Sequence, residues 1–98
     1  MKKRTPHCKL AVVKELAATG SVEFTRAARV GAAELNLDTN DVLETVLVLT
    51  MSDFYKSMTT HSDHRIWQDV CRPKTGPHTV YLKLTVMDNL LIVSFKEL

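Results

Sequence analysis

Two neighbouring stretches late in the chain, Val80–Met87 and Leu90–Lys96, alternate apolar and polar residues and are separated only by Asp88-Asn89. Alternation with a period of two is the signature of a strand with one buried face. Asp and Asn both tolerate positive φ, so the dipeptide reads as a two-residue hairpin turn. Such a turn pairs Met87 with Leu90 and sets the register behind it. Leu82 then faces Phe95, Leu84 faces Val93 and Val86 faces Leu91, which makes one apolar face. A slip of one residue would turn a whole strand's apolar set to water, so the register should be well specified. On the other face Tyr81 comes opposite Lys96, Lys83 opposite Ser94 and Thr85 opposite Ile92. A phenol and an ammonium are thereby brought within reach of each other, although cross-strand pairs on an ordinary solvated face look the same.

The same period governs Phe54–Thr59 and Ile66–Arg72, with turn-forming residues at Thr60-His61-Ser62-Asp63 and Pro73-Lys74-Thr75-Gly76-Pro77. The first half of the chain is different. Thr5-Pro6 reads as an N-cap followed by proline at the first helical position. Leu10, Val13, Leu16 and Ala17 recur at helical spacing, and Gly20 is a natural stop. Val22–Thr25 is either a short strand or a linker. Arg26–Leu35 predicts a second helix, and Asp38 or Thr39 caps a third with Val42, Leu43, Val46 and Leu47 on one face. At 98 residues the chain makes a single domain, 1–98. The expected architecture is α+β, with N-terminal helices packed on one face of a C-terminal antiparallel sheet.

The formal net charge of +2 is small, but its distribution is uneven. Lys2, Lys3, Arg4 and Lys9 crowd the N-terminus, whereas Glu34, Asp38, Asp41 and Glu44 occupy the middle. A polyanion would avoid the middle and approach the rest, and two solvated helix surfaces would also give this pattern. Cys8 and Cys71 form neither a disulfide framework nor a CxxC motif, and reduced, partly buried thiols are expected. No apolar run approaches the ~20 residues that cross a membrane. No signal-peptide core follows the basic start, so a cytoplasmic protein is expected. His61 and His64 flank Asp63 in a polar loop without a third ligand nearby, so no metal site and no cofactor are expected. Gly20, Gly31 and Gly76 are too scattered for a phosphate-cradling loop, and no Gly-x-Ser-x-Gly elbow exists. What remains is a sheet face carrying Tyr55, Lys56, Gln68, Arg72, Tyr81 and Lys96, an inventory suited to phosphate.

Several segments carry a resemblance. They are Ser52-Asp53-Phe54-Tyr55-Lys56-Ser57-Met58-Thr59-Thr60, Ser62-Asp63-His64, Ile66-Trp67-Gln68-Asp69-Val70, Val80-Tyr81-Leu82-Lys83 and Leu91-Ile92-Val93-Ser94-Phe95-Lys96-Glu97. In order and spacing, together with the opening Lys3-Arg4-Thr5-Pro6-His7, the chain resembles the MqsR (motility quorum-sensing regulator) toxin family. The likeness is dense after Ser52 and thin between Leu10 and Leu49. It implies a RelE-like α+β fold and a toxin of a type II toxin–antitoxin system that cleaves messenger RNA at GCU-type sites. It also implies a cognate MqsA-type antitoxin bearing zinc and a DNA-binding domain. Operator DNA would then be met only through that antitoxin. The family's proposed catalytic residues match Lys56, Gln68, Tyr81 and Lys96, and Tyr55, Met58 and Arg72 match positions that line the same site.

The chemistry expected is metal-free transesterification, in which a ribose 2′-hydroxyl attacks the adjacent phosphorus. Arg72 and a lysine would stabilise the growing charge. Tyr81 would donate to a phosphate oxygen or to the leaving group, and the sequence offers Lys56 or Lys96 as the base. A non-enzymatic RNA-binding module would use the same face, with Tyr55, Tyr81 and Trp67 as stacking platforms.

Overall fold

The computed structural model describes residues 1–98. Its elements run β1 (Lys2–Lys3), α1 (Leu10–Ala18), β2 (Val22–Phe24), α2 (Arg26–Glu34), α3 (Thr39–Leu47), a single 3-10 turn at Met51–Asp53, β3 (Phe54–Thr59), β4 (Trp67–Cys71), β5 (Lys74–Thr75), β6 (His78–Val86) and β7 (Leu90–Glu97). The strands form one sheet in the order β1-β3-β4-β6-β7-β2, with β5 paired to β6. Every pairing is antiparallel except β2 on β7, which is parallel. The helices cover one face, so the α+β architecture is the one expected, and Val22–Phe24 is an edge strand rather than a linker.

Each helix start has its own physical cause. α3 opens on Asp38, whose carboxylate accepts from Asp41 N while the Asp41 carboxylate accepts from Asp38 N, a reciprocal capping box. α2 opens on Thr25, whose hydroxyl accepts from Ala28 N and donates to Val93 O at 2.7 Å, tying the helix to β7. α1 starts at Leu10, later than the Thr5-Pro6 signal predicted. The buried Asp69 carboxylate takes the backbone amides of His7 and Cys8, each at 3.0 Å, and holds that stretch against the sheet instead of in a helical turn.

Val13, Ala17, Ala28, Ala32, Val42 and Val46 from the helices pack against Leu82, Leu84, Leu90, Ile92 and Phe95 from β6 and β7. The predicted α3 face is correct at Val42 and Val46, but Leu47 is exposed. α2 lies very close to β7. A methyl group at Gly31 would come within 1.9 Å of the Phe95 carbonyl oxygen, so only glycine allows the approach.

The β6–β7 hairpin departs from the sequence reading in a way that cancels itself. Val86, not Met87, faces Leu90, so the turn has three residues, and neither Asp88 nor Asn89 adopts positive φ. Leu84 therefore faces Ile92 and Thr85 faces Leu91. A β-bulge opposite the Lys83/Leu84 step then absorbs Val93 and restores the expected pairs Lys83–Ser94, Leu82–Phe95 and Tyr81–Lys96. Leu90 and Ile92 consequently fill the core, while Leu91 and Val93 are only half-buried. The local reason is burial: a two-residue turn would have turned Leu90 and Ile92 away from the helices.

Candidate active site

The sheet face away from the helices is built from rows that cross the strands. One row runs from Lys56 on β3 through Val70 on β4 and Lys83 on β6 to Ser94 on β7. Beside it Met58 faces Gln68, and on the other side Tyr81 faces Lys96. The ammonium of Lys96 lies 5.5 Å from the centre of the Tyr81 ring. Val70 is fully buried in its row between Lys56 and Lys83, apart from the helix-side core, and gives the site an apolar floor.

Tyr55 enters through a second irregularity. The β3–β4 register shifts between Phe54 and Lys56, and a bulge of this kind re-aims the residue it carries. The Arg72 guanidinium stacks on the Tyr55 ring at 3.8 Å and the Lys56 ammonium lies 5.3 Å from it. Arg72 is placed by its backbone N–H, which donates to Asp53 O at 2.7 Å. The structure thus gathers Tyr55, Lys56, Met58, Gln68, Arg72, Tyr81 and Lys96 on one face. Trp67 is elsewhere. It stacks on His7 with ring centroids 5.6 Å apart and carries the Lys3 ammonium at 4.3 Å, so it is not a free platform.

Lys83 is the residue that sequence reasoning passed over. It sits half-buried in the middle of the polar face, and its ammonium is disfavoured, first by burial and then by the charges of Lys96 and Lys56. Its pKa is therefore lowered from the ordinary lysine value. The alternation of β6 was enough to put Lys83 on this face, but the packing around it was not legible without the neighbouring strands. No carboxylate answers these cations, because the salt bridges join Arg65 to Asp63 and His78 to Glu97. The face combines a positive field, neutral hydrogen-bond donors and one lysine whose pKa is lowered by its surroundings, which suits binding a phosphate and taking up a proton.

The remaining reactive groups lie away from this face. Asp63, flanked in sequence by His61 and His64, is hydrogen-bonded by the Arg65 side chain, which holds its carboxyl below the usual value. Nowhere do three or more His, Cys, Asp or Glu side chains come together as a metal cluster. Both cysteines are free thiols. Burial, reinforced by Asp69 and Asp53, pushes the Cys71 thiol up to about 12, and burial likewise raises Cys8.

The model of the family described as "Motility quorum-sensing regulator, toxin of MqsA" matches residues 5–97. The chain belongs to the MqsR toxin family. The mRNA interferase toxin MqsR of Escherichia coli (strain K12) is 55% identical over 97 residues, covering 99% of each chain. The MqsR family match takes in Tyr55 through Lys96, the whole of the face described above, whereas Lys2, Lys3 and Arg4 lie ahead of it.

Proposed function

We propose that this chain is the toxin of a toxin–antitoxin pair and an endoribonuclease that cleaves messenger RNA by transesterification, at GCU-type sites and in the cytoplasm. The observation that carries this reading is the sheet face on which Lys56, Arg72, Lys83 and Lys96 converge around Tyr81 with no opposing carboxylate. Family membership and the name of the Escherichia coli relative support it.

In this reading Arg72, Lys56 and Lys96 hold the scissile phosphate and stabilise the charge that builds on it. Tyr81 and Gln68 donate hydrogen bonds, and the exposed Tyr55 ring, with Arg72 stacked on it, and Met58 line the place of a neighbouring base. Lys83 replaces Lys56 and Lys96 as the base. A lysine at its ordinary pKa is neutral at pH 7 only about once in 2,500, a cost of roughly 4.6 kcal/mol. General-base catalysis returns about 10²–10⁴-fold, and a lysine whose pKa is lowered recovers part of that cost. Lys83 removes the 2′-hydroxyl proton, the oxygen attacks phosphorus as the bond from phosphorus to the 5′-oxygen breaks, and the leaving 5′-oxygen takes a proton from Tyr81, which solvent restores. The helical side, with the acidic Glu34–Glu44 stretch, is left for a zinc-bearing MqsA-type antitoxin.

The test is product chemistry on a defined RNA with enzyme below substrate and EDTA in excess. Turnover should give a cyclic or 3′-phosphate on one fragment and a 5′-hydroxyl on the other. Deoxyribose at the single position 5′ of the cut should block it. Stoichiometric protection without turnover would instead mean an RNA-binding module.

A further inference from the structure

A cleft of about 460 Å³ opens beside Tyr55, Lys56 and Arg72, and Lys2, Lys3 and Arg4 line it from the N-terminal segment. β1 pairs Lys2 with Met58 and Lys3 with Ser57. Alternate residues of a strand share a face, so Lys2 lies on the side of Met58 and Lys56 and Lys3 lies on the other, while Arg4, just past the strand, lines the same cleft as Lys56 and Arg72. Lys3 is engaged there, over Trp67 and 3.3 Å from His7 Nδ1. Lys2 and Arg4 are exposed, neither enters a salt bridge, and no carboxylate lines the cleft.

This segment is not a loose basic tail. Thr59 N donates to Met1 O at 2.9 Å, β1 is hydrogen-bonded to β3, and Asp69 holds the amides of His7 and Cys8. With the backbone pinned in this way, only the side chains of these cations lose freedom when an anion binds. Strands are spaced about 4.8 Å apart, so the three steps from β1 to β6 carry positive charge across about 14 Å of one face. That is too far for a single phosphate to bridge.

We propose that β1 builds a second phosphate subsite, in which Lys2 and Arg4 hold the backbone of an RNA nucleotide flanking the scissile bond. The inference rests on the ribonuclease reading and adds to it a substrate that crosses the strands from β1 to β7 as a single strand. The guanidinium of Arg4 supplies a fork that matches phosphate oxygens, and Lys2 supplies a point charge beside it.

The experiment is binding of a 2′-O-methyl oligonucleotide of about ten nucleotides, which keeps every phosphate and lacks the attacking hydroxyl, followed by anisotropy against salt concentration. Each cation released from a single-stranded contact changes the log–log slope by about 0.7, so the K2A/R4A variant should be shallower than wild type by about 1.4. Between about 50 and 200 mM salt, wild type should lose roughly sevenfold more affinity than the variant. A K14A/R26A variant removes the same charge from α1 and α2 and should keep the wild-type slope. Equal slopes for the two double variants, with wild type still cutting RNA, would overturn the subsite and leave the ribonuclease reading standing. A wild-type protein that neither binds nor cuts RNA would remove both.

Discussion

Replacing Lys83 with arginine separates its two roles, because arginine keeps the charge and cannot be deprotonated in a protein. Lys83 occupies the centre of the Lys56–Val70–Lys83–Ser94 row, where burial and the charges of Lys96 and Lys56 disfavour its ammonium. If it accepts the 2′-hydroxyl proton, Lys83→Arg should lower kcat by about 10²–10⁴-fold, equivalent to roughly 2.7–5.5 kcal/mol of transition-state stabilisation, with little change in KM. The pH profile gives the sign. Wild-type activity should rise with pH until Lys83 has largely lost its proton, and Lys83→Arg should lose that limb. The same depression makes the unfolded chain bind more protons than the folded one between the folded and ordinary lysine pKa values, so stability should also rise with pH across that window. Single-turnover cleavage of a labelled RNA across pH, with urea melts in parallel, reads both effects. A Lys83→Arg protein within about tenfold of wild type, with an unchanged pH limb, would refute Lys83 as the base.

Lys56→Ala and Lys96→Ala should each abolish cleavage while changing stability by no more than about 1 kcal/mol, and full activity in both would remove these lysines from the site. Leu84→Ala, at a fully buried position in the β6 core, should cost about 2–5 kcal/mol in denaturant unfolding. Gly31→Ala forces a methyl group against the Phe95 backbone, which cannot yield as a side chain could, and should destabilise by about 1–3 kcal/mol. A Gly31→Ala melting temperature equal to wild type would mean that α2 does not approach β7 this closely.

Local pattern by itself determined most of the elements. The spans of α2, α3 and β3 to β7 followed from helical and alternating periodicity, β5 excepted, and the separation of apolar Leu82, Leu84 and Phe95 from polar Tyr81, Lys83 and Lys96 followed from alternation within a strand. The family likeness was equally legible, because the residues that carry it lie in contiguous runs. Tertiary structure decided what depends on a partner distant in sequence. β1, β2 and β5 are too short to show a period and exist as strands because β3, β7 and β6 pair with them. The Thr5-Pro6 helix signal lost to Asp69, whose carboxylate claims the amides of His7 and Cys8 from across the chain. The Tyr81–Lys96 pairing came out as expected only because a longer turn and a bulge at Val93 offset each other, so that the core could take Leu90 and Ile92. Lys83 gained its distinct character for the same kind of reason: the charges and burial that disfavour its ammonium come from β3, β4 and β7, and no reading of β6 alone contains them.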